Sequence, residues 1–209
     1  MFTNQKVLGM LLIVFIVGAG VYFTVSKFKQ DLSTISASPS PQSSDLDFLL
    51  NKTPSPLAQF PGTLKPEQLQ NKKAMIQTAK GVIQLQIYPE ATMAASNFII
   101  LSSNGFYDGL TFHRVEDWVV QGGDPTGTGS GGPGYQFPDE PVKRNYVKGI
   151  VAMANSGPNT NGSQFFILKK DAPLQPNYTI FGAVISGQEV VDKISIGDVM
   201  QKIIIQNSQ

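Results

Sequence analysis

The chain of 209 residues contains no cysteine and a single histidine. Without cysteine there is no disulfide, no thiol nucleophile and no zinc–cysteine site, while reducing and oxidising compartments both remain open. His113 by itself cannot build a multi-histidine metal site. Charge is scarce as well. Only 15% of residues are charged and the formal net charge is +1, so no electrostatic argument draws the protein to nucleic acid or to a strongly charged substrate. What is plentiful is turn-forming residues, 20 Gly and 14 Pro, a composition that reads as loop-rich rather than helical. The length predicts one domain plus attachments.

The attachments come first. Residues 7–25 read VLGMLLIVFIVGAGVYFTV, without a charge, between Lys6 and Lys27. As a helix the run would span about 28 Å, close to the ~30 Å hydrocarbon core of a bilayer. It exceeds the ~7–15 apolar residues usual in a signal peptide, so a single transmembrane helix within residues 1–29, retained as an anchor, is the expectation. No cysteine follows it, which excludes a lipoprotein-type anchor. Lysines on its two sides nearly balance; the long polar remainder is expected to translocate, putting the globular part outside the cytoplasm at the cell membrane. Residues 30–71 are rich in Ser and Pro and predict a disordered spacer, because such a composition buries too little apolar surface to offset chain entropy.

From Ala74 the pattern has period two. Ala74, Ile76 and Thr78 alternate with polar or small residues, Lys80-Gly81 makes a turn, and Ile83, Leu85 and Ile87 alternate again, which predicts a hairpin with one buried face. Pro89-Glu90 opens a helix packed through Met93, Phe98, Ile99 and Leu101, and Asn104-Gly105 ends it. Further strands are predicted over residues 110–115, 178–184 and 201–206, with a short helix over 188–194.

Two stretches carry the chemistry. Residues 150–168 read IVAMANSGPNTNGSQFFIL, two apolar runs joined by ten residues rich in Asn, Gly, Ser and Pro. That is two buried strands around a polar loop whose small residues leave backbone groups open to a ligand. Some forty residues earlier the chain reads FHRVEDWVVQGGDPTGTGSGGPGY. The glycines here do not form a P-loop, since the lysine and the strand–helix setting are missing. In a regular strand Phe112 and Arg114 would share one face, with His113 and Val115 on the other.

In this order the two motifs resemble the cyclophilins, the peptidyl-prolyl cis-trans isomerases, over roughly residues 74–205. The resemblance implies a mostly β fold over residues 72–209, a closed eight-stranded antiparallel barrel capped by two helices. It implies an enzyme that accelerates rotation of X-Pro bonds in polypeptide clients, with no cofactor and no metal, and a role in folding extracytoplasmic proteins. Arg114 matches the catalytic arginine and Gln121 the glutamine that orients it. Trp118, Val119, Phe166 and Leu174 match the proline pocket. Ala154, Asn155, Ser156 and Gln164 match the grip on substrate backbone, Gly127 lies near the residue before the proline, and His113 and Tyr178 border the site. The protein is expected to be a monomer.

The chain departs from the family pattern in four places. Six residues, 115–120, separate the arginine from the glutamine where seven are usual. The pocket carries Trp118 and Val119 for the common Phe and Met. Pro173 replaces a tryptophan that helps many members bind cyclosporin, so weak inhibition is expected. Tyr178 replaces a frequent histidine, as bacterial members often show. The altered loop leaves a second reading open, a non-catalytic proline-peptide binding module or chaperone. A hydrolase built on His113 has little support, since no nucleophile motif surrounds any serine.

Overall fold

The protein is described from a computed structural model that covers residues 12–17, 20–25 and 59–208. It divides into two units, residues 1–51 and 52–209. In the first, β1 (Leu12–Val17) pairs antiparallel with β2 (Gly20–Val25). These stretches, which the sequence predicts as part of one membrane-spanning helix, are strands. Their β-branched and aromatic residues suit a pleated ribbon, and among the described residues no helix is long and apolar enough to cross a membrane. The rest of the predicted anchor, residues 26–29 included, and residues 30–58 of the predicted spacer lie outside the described residues.

The second unit runs α1 (Pro66–Leu69), β3 (Lys72–Thr78), β4 (Gly81–Ile87), α2 (Thr92–Ser103), β5 (Phe112–Val115), β6 (Val119–Gly122), β7 (Ile150–Met153), β8 (Phe165–Leu168), β9 (Ile180–Ser186), α3 (Gln188–Val191) and β10 (Lys202–Asn207). Eight strands form one antiparallel sheet in the order β10-β3-β4-β9-β7-β8-β6-β5. The sheet curls but does not close, contrary to the closed barrel expected. Its edge strands β5 and β10 never pair. β5 is only four residues long, and the backbone facing its entry is spent on a loop: Met200 donates to Leu110 and Phe112 to Asp198, at 2.8 and 2.9 Å, around a lone bridge between Thr111 and Val199.

Two apolar layers lie on the two faces of this sheet. The concave face holds the main core, with Phe98, Leu101, Phe112, Val120, Val151, Met153, Phe165, Ile167 and Phe181 all buried. The convex face of β6–β9 carries a smaller cluster built on Val119, Tyr146, Ile150, Ala152, Phe166, Leu168 and Ile180. Strands covered on both faces read as unbroken apolar runs, which is why IVAM and FFIL are buried at every position. The outer hairpin β3–β4 has one covered face and alternates.

Helix α2 packs Ala94, Ala95, Phe98 and Leu101 on the core. It has no side-chain cap of its own. Glu140, far along the chain, supplies one: its two carboxylate oxygens accept from the Met93 and Ala94 N–H groups, both at 2.9 Å, satisfying orphan donors at the positive end of the helix. The end of the predicted spacer is also folded. Phe60 stacks on Phe137 with ring centroids 5.1 Å apart, and Leu69 is buried in the core, so packing begins some ten residues ahead of β3.

Candidate active site

β5 does not stay regular. Its register against β6 shifts between Phe112, opposite Gly122, and Arg114, opposite Gln121. His113 is the extra residue of a bulge. Gly122 and Gln121 point to opposite faces of β6, so Phe112 turns into the core and Arg114 emerges on the convex face. Phe112 and Arg114 therefore do not share a face. The bulge is what presents the guanidinium beside the convex apolar cluster.

From there the register lays out the site. Arg114 is level with Gln121, Gln121 with Phe166, and Phe166 with Ala152. A polar relay runs along this line. Arg114 Nη1 donates to Gln121 Oε1 at 3.0 Å, and Gln121 Nε2 donates to Gln164 Oε1 at 2.9 Å. Gln164 Nε2 in turn donates to the carbonyls of Gly129 and Gly131, at 3.0 and 2.8 Å. One chain of hydrogen bonds thus connects the arginine to the glycine-rich loop.

A cavity of about 330 Å³ lies beside the relay, lined by Arg114, Trp118, Val119, Gln121, Ala154, Asn155, Phe166, Leu174 and Tyr178. Its floor is apolar: Val119 and Phe166 are buried, and Tyr178 stands edge-on to Phe166 with centroids 5.5 Å apart. Tyr146 holds Tyr178 by its backbone, donating from Oη to the carbonyl at 2.8 Å and accepting from the amide at 3.1 Å. Asn155 lines the cavity with its side chain engaged elsewhere, its Nδ2 donating to the Asn177 carbonyl at 2.7 Å.

A second cavity, about 450 Å³, shares Gln121, Ala154 and Asn155 with the first and continues past Gln164, Ser156, Tyr135 and residues 129–134. The loop along its rim is anchored by buried Asp124, whose carboxylate accepts from the Thr126, Gly129 and Gly131 amides at 2.7, 2.6 and 3.1 Å. Burial pushes this carboxyl up, but the hydrogen bonds, led by the Thr126 amide, outweigh it and hold the group below its ordinary value. A Cβ at Gly131 would collide with the same carboxylate; only glycine lets the loop close this tightly.

Of the residues that the sequence singles out, His113 and Gly127 line neither cavity. Both ring nitrogens of His113 are sealed from solvent without a partner among the described residues. Burial pushes its imidazole below the ordinary value, against the opposing pull of Asp124 and Gln164, and with both nitrogens sealed the ring offers no base to a substrate. The six-residue loop closes as a two-residue hairpin, with the Glu116 amide donating to Val119 at 2.9 Å. Glu116 is a site residue that the sequence reading passes over. Its Oε1 accepts from Arg114 Nε at 2.7 Å and its Oε2 from Trp118 Nε1 at 2.8 Å, and the arginine carbon Cζ lies 5.4 Å from the centre of the indole. Tyr135, Tyr146 and Asp124 are equally invisible as isolated letters; the two tyrosines act through partners more than thirty residues away, and Asp124 through amides of the loop that follows it.

With this geometry in place, the comparisons with known proteins speak to the family. The model of the cyclophilin type peptidyl-prolyl cis-trans isomerase/CLD family matches residues 73–208. A peptidyl-prolyl cis-trans isomerase of Helicobacter pylori is 43% identical over 154 residues, covering 69% of this chain and 94% of the relative. A peptidyl-prolyl cis-trans isomerase-like 1 protein of Bos taurus is 42% identical over 141 residues, covering 64% and 85%. Among solved structures, a Cryptosporidium parvum cyclophilin type peptidyl-prolyl cis-trans isomerase superposes with a TM-score of 0.60 at 34% identity, covering 66% of this chain and 99% of the other. The same protein has been solved in the presence of the dipeptide Ala-Pro. The chain belongs to the cyclophilin-type peptidyl-prolyl cis-trans isomerase family.

Proposed function

We propose that the protein accelerates cis–trans rotation about X-Pro bonds of polypeptide clients in the 330 Å³ cavity, through Arg114. The observation that carries this reading is the placement of a half-exposed guanidinium, gripped on two sides by Glu116 and Gln121, at the edge of a cavity floored by Val119 and Phe166. Rotation must overcome a barrier of ~18–20 kcal/mol that comes from amide resonance. Seating the ring on Phe166, Val119 and Leu174 presents the amide nitrogen to Arg114. A cation there favours the twisted state, in which the nitrogen lone pair is localised, over the planar ground state. No bond is made to the protein, so no nucleophile, base or metal takes part. The backbone near Ala154 and Asn155 holds the neighbouring residue while the other side turns.

The test is turnover of a cis-enriched X-Pro tetrapeptide by the full chain and by Arg114→Ala. Fast isomerisation lost in a folded variant supports the reading. Equal peptide affinity in both with negligible turnover in either would replace it by the binding module.

The finer attributes rest on the sequence. The uncharged run over residues 7–25 supports a membrane anchor with the isomerase domain on the extracytoplasmic side, acting on exported clients; carbonate extraction and protease accessibility of intact cells test it. Pro173, next in the chain to Leu174 of the cavity, supports weak cyclosporin inhibition, and Tyr178 a bacterial-like member. A monomer is proposed as well, and light scattering of the purified chain tests it.

A further inference from the structure

We infer that Glu116 is the positioning residue of this active site: its single carboxylate holds Arg114 and Trp118 together at the end of the shortened loop. The inference rests on the isomerase reading and adds to it a residue that acts on the reacting amide only through others.

The geometry is specific. The two-residue turn Asp117-Trp118 places Glu116 and Trp118 on the same side of the hairpin end as Arg114. One carboxylate oxygen takes Arg114 Nε and the other takes the indole N–H. Gln121 occupies Nη1. The guanidinium is therefore held at Nε and at Nη1, and Nη2 alone has no partner among the described residues. That is the group left to face a substrate amide. Two grips at separate nitrogens fix the plane of the guanidinium as well as its position, and orientation of this kind is worth large factors in rate. The second oxygen of Glu116 does the same for the pocket wall. Trp118 is half-buried and its only side-chain hydrogen bond is the one to Glu116, so this contact decides which way the indole faces the cavity. Glu116 itself is exposed at the loop, with 45% of its side chain accessible against 43% for Arg114. It contributes nothing to the core, and its role is confined to the site. Asp117 next to it is almost wholly exposed and only 3.8 Å from Lys170, so the neighbouring carboxylate cannot substitute.

The experiment uses the full chain with Glu116→Ala, Glu116→Gln, Trp118→Phe and the double variant Glu116→Ala/Trp118→Phe. Glu116→Ala is expected to lower kcat/KM by about tenfold, chiefly in kcat. Glu116→Gln, with one oxygen to share between two donors, should fall between. In the Trp118→Phe background the Glu116→Ala effect should shrink, because one of its two partners is already gone. Trp118 is the only tryptophan in the chain, so acrylamide quenching of its emission should rise in Glu116→Ala, and the Arg114 Nε–H resonance should lose its protection from exchange. Turnover of Glu116→Ala at or above the wild-type rate would overturn the inference, as would an undiminished effect in the Trp118→Phe background. Absence of turnover in the wild type would instead sink the isomerase reading. Unchanged quenching and Nε–H exchange would then overturn the clamp independently.

Discussion

The two faces of the strands β6–β8 bury apolar side chains to the same degree and use them for opposite ends. On the concave side Val120, Val151, Phe165 and Ile167 join Phe98, Tyr107 and Phe181 in a closed aromatic cluster, with Phe98 5.3 Å from Phe165 and 5.1 Å from Phe181. On the convex side Val119, Ala152 and Phe166 are almost as buried, but their cover consists of loops that carry Trp118, Leu174 and Tyr178 and leave a slot. Adjacent residues of one strand, Phe165 and Phe166, thus belong to the structural core and to the active site. Burial alone does not distinguish a core from a pocket; what covers the face does.

Substitutions on the two faces should separate the two roles. The largest effect is expected on the inner one: Phe165→Ala should cost about 3–5 kcal/mol of stability, read by chemical denaturation, and take activity with it. Phe166→Ala losing as much stability would erase the contrast. On the outer face Arg114→Ala should lower kcat/KM by about 10²–10³, some 2.7–4 kcal/mol of transition-state stabilisation, with an unchanged denaturation midpoint. A fall in that midpoint would mean that the arginine is structural. Next comes the helix cap. Glu140→Ala strips the acceptors from the Met93 and Ala94 amides and should cost about 0.5–2 kcal/mol, with turnover per folded molecule unaffected.

The smallest effect belongs to the seam between the faces. Burial holds the folded-state pKa of His113 below its ordinary value of 6.5. The unfolded chain therefore takes up the proton first as pH falls, and the stability contributed by the neutral ring is present above pH 6.5 and lost below it. Stability measured from pH 7.5 down to about 5, above the carboxylate range, should decline in the wild type. The slope should flatten in His113→Asn. An identical slope in both would show that the ring is wetter than its sealed nitrogens indicate.

Much of this was legible in the sequence for a local reason. Alternation at Ala74, Ile76, Ile83 and Leu85 needs only a strand with one wet face, and the strands observed, Lys72–Thr78 and Gly81–Ile87, carry it. The apolar runs around the Asn/Gly/Ser loop predicted buried strands for the same reason. The candidate residues Arg114, Gln121, Trp118 and Phe166 were named from motif alone, and the fold brings them to one cavity. The sheet's closure was not legible, because pairing of β5 with β10 depends on how the loop before β10 spends its backbone groups. The predicted helix over residues 7–25 rested on length and apolarity, which two short strands satisfy as well.

By itself, then, the sequence determined what periodicity and composition encode: a strand-dominated domain, the family to which its two motifs point, and chemistry without a thiol. Tertiary structure decided what depends on strand register, on turn geometry and on partners distant along the chain. The bulge at His113 turned Arg114 out of the core, Glu140 capped a helix 46 residues away, and the shortened loop placed Glu116 between arginine and tryptophan. Each of these is a backbone register, a tight turn or a long-range hydrogen bond. Such features carry no periodic signal, since their energy comes from groups that only the folded chain brings within 3 Å.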